Sequence, residues 1–342
     1  MGNEIDLEKY EIRTDLVLDS IENGSYKVPK NVEKYGDIVV TTVVLDEDNS
    51  NLLAKKAGDY ITIEFEDVTD SGNSLKVEEV FTKELKKLLV KKGLKDNSTF
   101  LVVGLGNESS TPDSLGPRVG SNIIVTRHLY LLNEEVSSSY RCTSVVIPDV
   151  MANTGIESFE IVSSVIDKVS PSFVIAVDAL AASSIDRVNR SIQITDTGIH
   201  PGSGVGNQRK EISFDTLGIP VIAVGVPTVV ESSIIVYDTI NYLFKHISYI
   251  KDNQNKNKLI LTRHNYLEKL KDRTLTLEEK KNLSGLLGEL SDSERQNLIN
   301  EVLSSINYNF IVTPKEIDFL IDRLTTILSN GINNSIHNLD SL

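Results

Sequence analysis

Residues 99–106, TFLVVGLG, run through an unbroken apolar stretch into a glycine pair. A strand that alternates polar and apolar keeps one wet face, whereas one with no polar positions is covered on both. The pattern returns three times, in TSVVIP at 143–148, SFVIAVD at 172–178 and IPVIAVGVP at 219–227. Between these runs apolar residues recur at helical spacing, predicting helices over Val119–Leu132, Ile156–Val169 and Val229–Lys245. Buried strands separated by helices define an α/β chain with a parallel, doubly wound sheet. Ligands and chemistry gather at the carboxyl ends of such strands. Here those ends are the loops opening at Gly104, Pro148, Asp178 and Gly225.

Outward from this core, Val39–Leu45 and Tyr60–Phe65 read as β-strands rich in β-branched residues, an N-terminal β extension. An amphipathic helix follows, with Val77, Val80, Phe81, Leu85, Leu88 and Leu89 on one face and lysines opposite. Residues 1–35 are polar and read as a leader with an irregular lead-in. After Lys251 the stretch KDNQNKNK reads as a linker or long loop, and the rest as helices. Thr276-x-x-Glu279 and Ser291-x-x-Glu294 are capping boxes, and Thr313-Pro314-x-Glu316 puts proline at a first helical position.

The chain has 342 residues, 35 Lys+Arg against 49 Asp+Glu, and a net charge of −14. That surplus of carboxylates argues against a nucleic-acid binder, whose phosphate contacts need clustered Lys and Arg. No apolar run reaches the roughly 18–20 residues a membrane helix needs. The N-terminus lacks the apolar core of a secretory signal. A single cysteine, Cys142, excludes an intramolecular disulfide and fits a reducing compartment. It opens a strand that reads as buried, so an inert thiol is expected.

Gly104-Leu-Gly106-Asn107 follows a buried strand, but position 109 is Ser, so the third glycine of a dinucleotide fingerprint is missing. A tight turn bringing backbone close to a substrate is the better use of these glycines. The loop continues to Asp113, a carboxylate at the same sheet edge. Asp178 ends FVIAVD and emerges there too; burial raises a carboxyl pKa, and a second carboxylate pushes the two apart. Two carboxylates sharing a proton can activate water and protonate a leaving amine. A capped turn is the competing role for each of them.

Asp196-Thr197-Gly198 carries the tripeptide of pepsin-like proteases, yet it occurs once, inside an α/β pattern, so a structured loop near the site is expected instead. It runs into His200 and the glycine-rich stretch with Gly202 and Gly204. His200 is a candidate proton carrier or metal ligand. Asp113, Asp178 and His200 together are a candidate oxygen/nitrogen metal site. His-Glu-x-x-His, cysteine clusters and Gly-x-Ser-x-Gly are all missing, which removes zincins, structural zinc and serine hydrolases from consideration.

Several stretches together resemble the germination proteases of spore-forming bacteria. They are VVGLGN (102–107), TPDSLGP (111–117), VMANTGIES (150–158), VDALAA (177–182), RVNRSIQITDTGIHPGSGVGNQRKE (187–211), LGIPVIAVGVPTVVES (217–232) and TPKEIDFLID (313–322). The resemblance implies an atypical aspartic endopeptidase that degrades small acid-soluble spore proteins in the forespore or spore core, a cytoplasmic compartment. It implies a three-layer α/β/α core of the phosphorylase/hydrolase-like fold, related to hydrogenase maturation proteases, with C-terminal helical additions. Its two essential aspartates fall on Asp113 and Asp178, and Gly104, Gly106, Asn107, Asp196, His200, Gly202 and Gly204 fall in the surrounding loops. No cofactor is implied. In hydrogenase maturation proteases the corresponding positions help bind nickel of the substrate, so a metal-assisted protease is one alternative and a non-catalytic binder of spore proteins another.

The resemblance further implies a homotetramer, made as a zymogen that cuts itself between an acidic and a hydrophobic residue. In this chain that bond is Asp15–Leu16. The expected organisation is therefore a propeptide at 1–15, a catalytic core with its β extension at 16–250, and a helical region at 251–342. Val17 departs from the family's alanine after that bond, and Glu231 stands where relatives carry Asp.

Overall fold

The computed structural model describes residues 14–24, 26–202, 209–253, 270, 275–306 and 308–338. The strands are β1 (Lys30–Tyr35), β2 (Ile38–Leu45), β3 (Gly58–Glu64), β4 (Phe100–Gly104), β5 (Thr143–Val146), β6 (Phe173–Ala182), β7 (Ser191–Thr195), β8 (Val221–Glu231) and β9 (Ile311–Val312). They form one nine-stranded mixed sheet in the order β1-β2-β3-β7-β8-β6-β4-β5, with β9 paired to β8. All four buried apolar runs are strands, and β4 lies parallel to both β5 and β6.

The sheet is not wholly parallel. β7 runs antiparallel to β3 and β8, and its sequence, SIQIT, is not among the strands read above. The polar Ser191, Gln193 and Thr195 masked a strand buried along its whole length. β1 was likewise read as irregular lead-in because KNVEKY is mostly charged and polar. It is an edge strand, where charge blocks further pairing. A two-residue turn at Gly36-Asp37 joins it to β2, with Gly36 at φ 64° and Tyr35 opposite Ile38.

Nine helices take the labels α1 (Val17–Asn23), α2 (Glu47–Leu53), α3 (Ser71–Lys91), α4 (Leu115–Ser121), α5 (Arg127–Leu131), α6 (Met151–Thr154), α7 (Ser158–Val169), α8 (Phe214–Leu217) and α9 (Ser232–Asn253). The single helix expected over Val119–Leu132 is two, α4 and α5. Tertiary bonds break the run: Ile124 N–H donates to Asn333 Oδ1 at 2.9 Å, and Thr126 N–H to the Thr143 carbonyl at 3.0 Å. The C-terminal helix Ile317–Ile336 starts later than expected, with Pro314 in the preceding turn. Both capping boxes form as read.

Alternate residues of the central strands enter different clusters. Phe100, Val102, Ile175 and Val177 pack with Phe81 and Leu85 of α3, Leu115 and Val119 of α4, and Leu324 and Leu328 of the C-terminal helix. Leu101, Val103, Val174 and Ala176 pack with Phe159, Val162 and Ile166 of α7. Helices thus cover both sheet faces, which is why these strands carry no polar positions.

The chain divides into two compact units. One comprises Arg13–Ala182, Asp186–Val229 and Thr313–Leu342, and contains the sheet core just described. The other comprises Met1–Ile12, Ser183–Ile185 and Val230–Val312. In it Arg295, 1% exposed, donates to Asn241 Oδ1 at 2.9 Å and to the Leu287 and Leu290 carbonyls at 3.3 and 3.1 Å.

Candidate active site

β4 stops at Gly104, which lies opposite Val177 of β6. Leu105 N–H still bonds the Val177 carbonyl at 2.8 Å, and then the chain turns away. β6 continues for five residues, so Asp178 is not at a strand end as expected but is the first residue beyond the reach of β4. The departing chain makes a tight loop that brings Asp113 back over it. Asn107 N–H donates to Asp113 Oδ2 at 2.9 Å and to its carbonyl at 3.1 Å. Gly106, at φ 116°, lies so close to the Asp113 backbone and side chain that a Cβ would overlap them. The glycine admits the Asp113 backbone carbonyl oxygen, the nearest atom a Cβ would meet.

Directly after Asp113, α4 begins with Gly116 packed on backbone. A Cβ there would come within 3.0 Å of the Leu105 and Val177 carbonyl oxygens and Leu105 N. Gly104 faces the Gly116 carbonyl in the same way. Asp113 and Asp178 are therefore set on two pieces of backbone, 113–116 and 177–178, that touch at the end of β4.

Asp178 is 5% exposed. Burial drives its pKa well above the usual carboxylate value; the Asp113 charge and, more weakly, Asp15 add to this, while Ala179 N–H and Arg209 oppose it. Burial also raises Asp113, but the Asn107 N–H and Arg209 pull it down, with Asp149 pushing it up. Burial raises both carboxyls, and each accepts one backbone N–H, Asn107 to Asp113 and Ala179 to Asp178. Asp178 is buried and raised well above the usual range, whereas Asp113 is half-buried. That difference in burial fits one acid and one base.

The segment Thr14–Val17 lies along the same part of β6. Asp15 N–H donates to the Ala181 carbonyl at 3.2 Å, and Ala181 N–H donates to Asp15 Oδ2 at 3.0 Å. Gln193 of β7 brackets the next residue: its Nε2 donates to the Asp15 carbonyl at 3.1 Å, and its Oε1 accepts from Val17 N–H at 2.8 Å. Leu16 and Val17 are wholly buried. Lys55 Nζ donates to the Thr14 carbonyl at 2.7 Å.

α1 is anchored by Arg187, 8% exposed, which binds Asp19, Glu22 at 2.8 Å and Glu64 at 3.1 Å. Burial opposes the guanidinium charge, and Glu22, Asp19 and Glu64 more than offset it. Asp19 is 1% exposed, and breaking a buried pair strands its partner's charge. Arg187→Met is expected to destabilise the protein by about 3–5 kcal/mol, read from urea unfolding midpoints. An unchanged midpoint would refute this role for Arg187.

Other candidate residues lie elsewhere. Asp196 accepts from Asp59 N–H at 2.8 Å and pairs with Lys92, so it ties β7 to β3 and α3 and takes no part in the carboxylate pair. The sequence placed its loop near the site; the loop leaves β7, which runs antiparallel to β8. His200 Nε2 lies 2.9 Å from Glu211 Oε2, and Glu211 also holds Lys56 at 2.6 Å. Gly202 is in a turn at φ 73°, and Gly204 lies outside the described residues. Cys142 is half-buried, with its thiol pKa raised by burial. Among the described residues, no group of three or more His, Cys, Asp and Glu could hold a metal ion.

Sequence reading missed Asp149, Arg209, Lys55 and Gln193. Asp149 lies in the loop after β5, the second of the carboxyl-end loops, and its position there was legible. Arg209 was quoted only as part of a block. Lys55 and Gln193 come from the antiparallel half of the sheet, whose place beside the core no local pattern reveals.

An α/β sheet holding two desolvated carboxyls at neighbouring strands is the framework of an α/β peptidase. The chain belongs to the germination protease family, whose pattern matches residues 16–341. It is 44% identical to the germination protease of Bacillus velezensis, covering 98% of this chain and 96% of that one. The germination proteases of Bacillus licheniformis and Priestia megaterium are 43% and 42% identical, covering 97% and 98% of this chain and 95% and 96% of theirs. Among the described residues no helix is long and apolar enough to cross a membrane.

Proposed function

We propose that the chain is a self-processing endopeptidase that starts the breakdown of small acid-soluble spore proteins in the spore core, acting as a homotetramer. The finer fold assignment, a three-layer α/β/α core related to hydrogenase maturation proteases, belongs to the same reading. Helices on both sheet faces support it.

Asp113 and Asp178 are the catalytic pair in this reading. A water between them gives a proton to ionised Asp113 as its oxygen attacks the peptide carbonyl. Protonated Asp178 donates to the carbonyl oxygen; as the carbon–nitrogen bond breaks, the proton on Asp113 goes to the leaving nitrogen and Asp178 takes back a hydroxyl proton, restoring the pair. Backbone N–H groups of a loop beside the carboxyls, such as 104–107, can serve a developing oxyanion. Leu105 and Asn107 N–H are engaged with Val177 and Asp113, so this loop serves to position the carboxylate. A metal-assisted variant using His200 is less well supported, since His200 faces Glu211.

The observation that carries the zymogen reading is the seating of Asp15 on the strand that bears Asp178, close enough to raise its pKa. Incubating the full chain at mildly acidic pH, followed by mass spectrometry, is expected to find a new N-terminus at Leu16. Asp113→Asn and Asp178→Asn chains should stay intact. An N-terminus that survives every condition while substrate is still cut refutes self-processing.

A further inference from the structure

Beyond Gly104, strand β6 has an edge with no neighbouring strand from β4. Backbone groups of alternate residues face that edge: Val177 bonds Leu105, and two positions on come Ala179 and then Ala181. Asp15 fills part of it, exchanging hydrogen bonds with Ala181 through its backbone N–H and its carboxylate. This is how an extended peptide adds to an open sheet edge.

Two side chains from outside β6 meet the same segment. Lys55 is half-buried and donates to the Thr14 carbonyl. Burial lowers its ammonium pKa, and the charges of Asp15 and then Asp19 oppose that. Ammonium is strongly hydrated, so a half-buried one is kept charged by nearby anions and carbonyls. Gln193, 6% exposed, spans from the Asp15 carbonyl to Val17 N–H, across the residue that follows Asp15.

We propose that Lys55 and Gln193, with the Ala179–Ala181 edge, form the subsite that decides where a peptide is cut. Lys55 takes the peptide carbonyl two residues before the bond and selects an acidic side chain immediately before it. Gln193 fixes the register by holding the backbone on both sides of the following residue. In this chain Thr14–Val17 occupies the subsite. The inference rests on Asp15–Leu16 being a bond this enzyme cuts, and adds which residues choose it.

The test uses peptides spanning residues 10–22, with Asp, Asn or Lys at position 15, cut in trans by the leader-free enzyme. Wild type is expected to prefer Asp over Asn by about 10–100-fold in kcat/KM, as for a desolvated charge pair worth about 1.4–2.7 kcal/mol. Lys55→Met should bring that ratio close to one, because the Asp peptide loses both the charge and the carbonyl contact whereas the Asn peptide loses the carbonyl contact alone. Lys55→Glu should favour the Lys peptide, and Gln193→Ala should raise KM and spread cleavage to neighbouring bonds. A Lys55→Met enzyme that keeps the wild-type Asp/Asn ratio overturns the proposal and leaves the protease reading standing. Wild type failing to cut the Asp peptide overturns both. A merely structural role for Lys55 would lower all three rates together without moving their ratios, and that outcome also overturns it.

Discussion

Asp178→Asn is expected to abolish hydrolysis and, at neutral pH, to make the protein more stable. The first half follows from the proposed division of labour. Asparagine keeps the volume and the acceptor for Ala179 N–H, 2.9 Å from Asp178 Oδ1, but it cannot pass a proton. General acid–base groups contribute about 10²–10⁴ in rate, and kcat should fall by at least that. The second half follows from burial. The folded-state pKa of Asp178 is raised, so the native state retains a proton that the unfolded chain releases. Stability then falls as pH rises from the ordinary carboxylate value, about 3.9, through the raised one, and stays lower above it.

Removing the group removes that penalty, at about 1.4 kcal/mol for each pKa unit of displacement. The gain in Tm should be absent below about pH 3, where both states are protonated, and grow as pH rises towards neutral. Thermal melts of the two proteins across this range, with peptide assays alongside, check both halves. Near-normal hydrolysis by the variant would end the dyad assignment. A variant less stable than wild type by the same amount at every pH would mean that Asp178 is a structural hydrogen-bonding residue.

The parallel heart of the fold was legible because burial on both faces leaves a continuous apolar run, as in Phe100–Val103 and Phe173–Val177. The antiparallel half was not. SIQIT alternates in the ordinary way for a one-sided strand yet is buried throughout, because β3 and β8 flank it and Gln193 is consumed by the lead-in. Asp113 was read from its loop and Asp178 from the end of its apolar run, although β6 continues past it. Their separation could not be read, because it depends on how deeply α4 sits on the strand ends. The same limit holds for Asp196, whose loop follows β7 rather than a strand of the parallel set.

The depth at which α4 sits is itself open to test, and Gly116→Ala should expose it. In an exposed helix alanine stabilises by about 0.5–1 kcal/mol over glycine. At position 116 the new methyl would meet three backbone atoms, Leu105 O, Val177 O and Leu105 N, all inside 3.0 Å. None is the end of a flexible side chain, so the helix itself must lift. Overpacking of this kind costs about 1–3 kcal/mol. The catalytic cost should be larger, because Asp113 stands three residues before Gly116 and Asp178 follows the Val177 carbonyl that the methyl strikes. A displacement of about 1 Å in such a pair costs on the order of 10² in rate. Gly120→Ala, in the same helix, provides the comparison, since the nearest atoms to its methyl belong to side chains, Ile147 at 3.1 and 3.3 Å and Val145 Cγ1 at 3.4 Å. It should stay within a few-fold of wild type in kcat/KM, whereas Gly116→Ala should lose about a hundredfold while still folding. Equal activities in the two variants would show that helix depth does not set the carboxylate spacing, and the close glycine contact would then be a matter of packing alone.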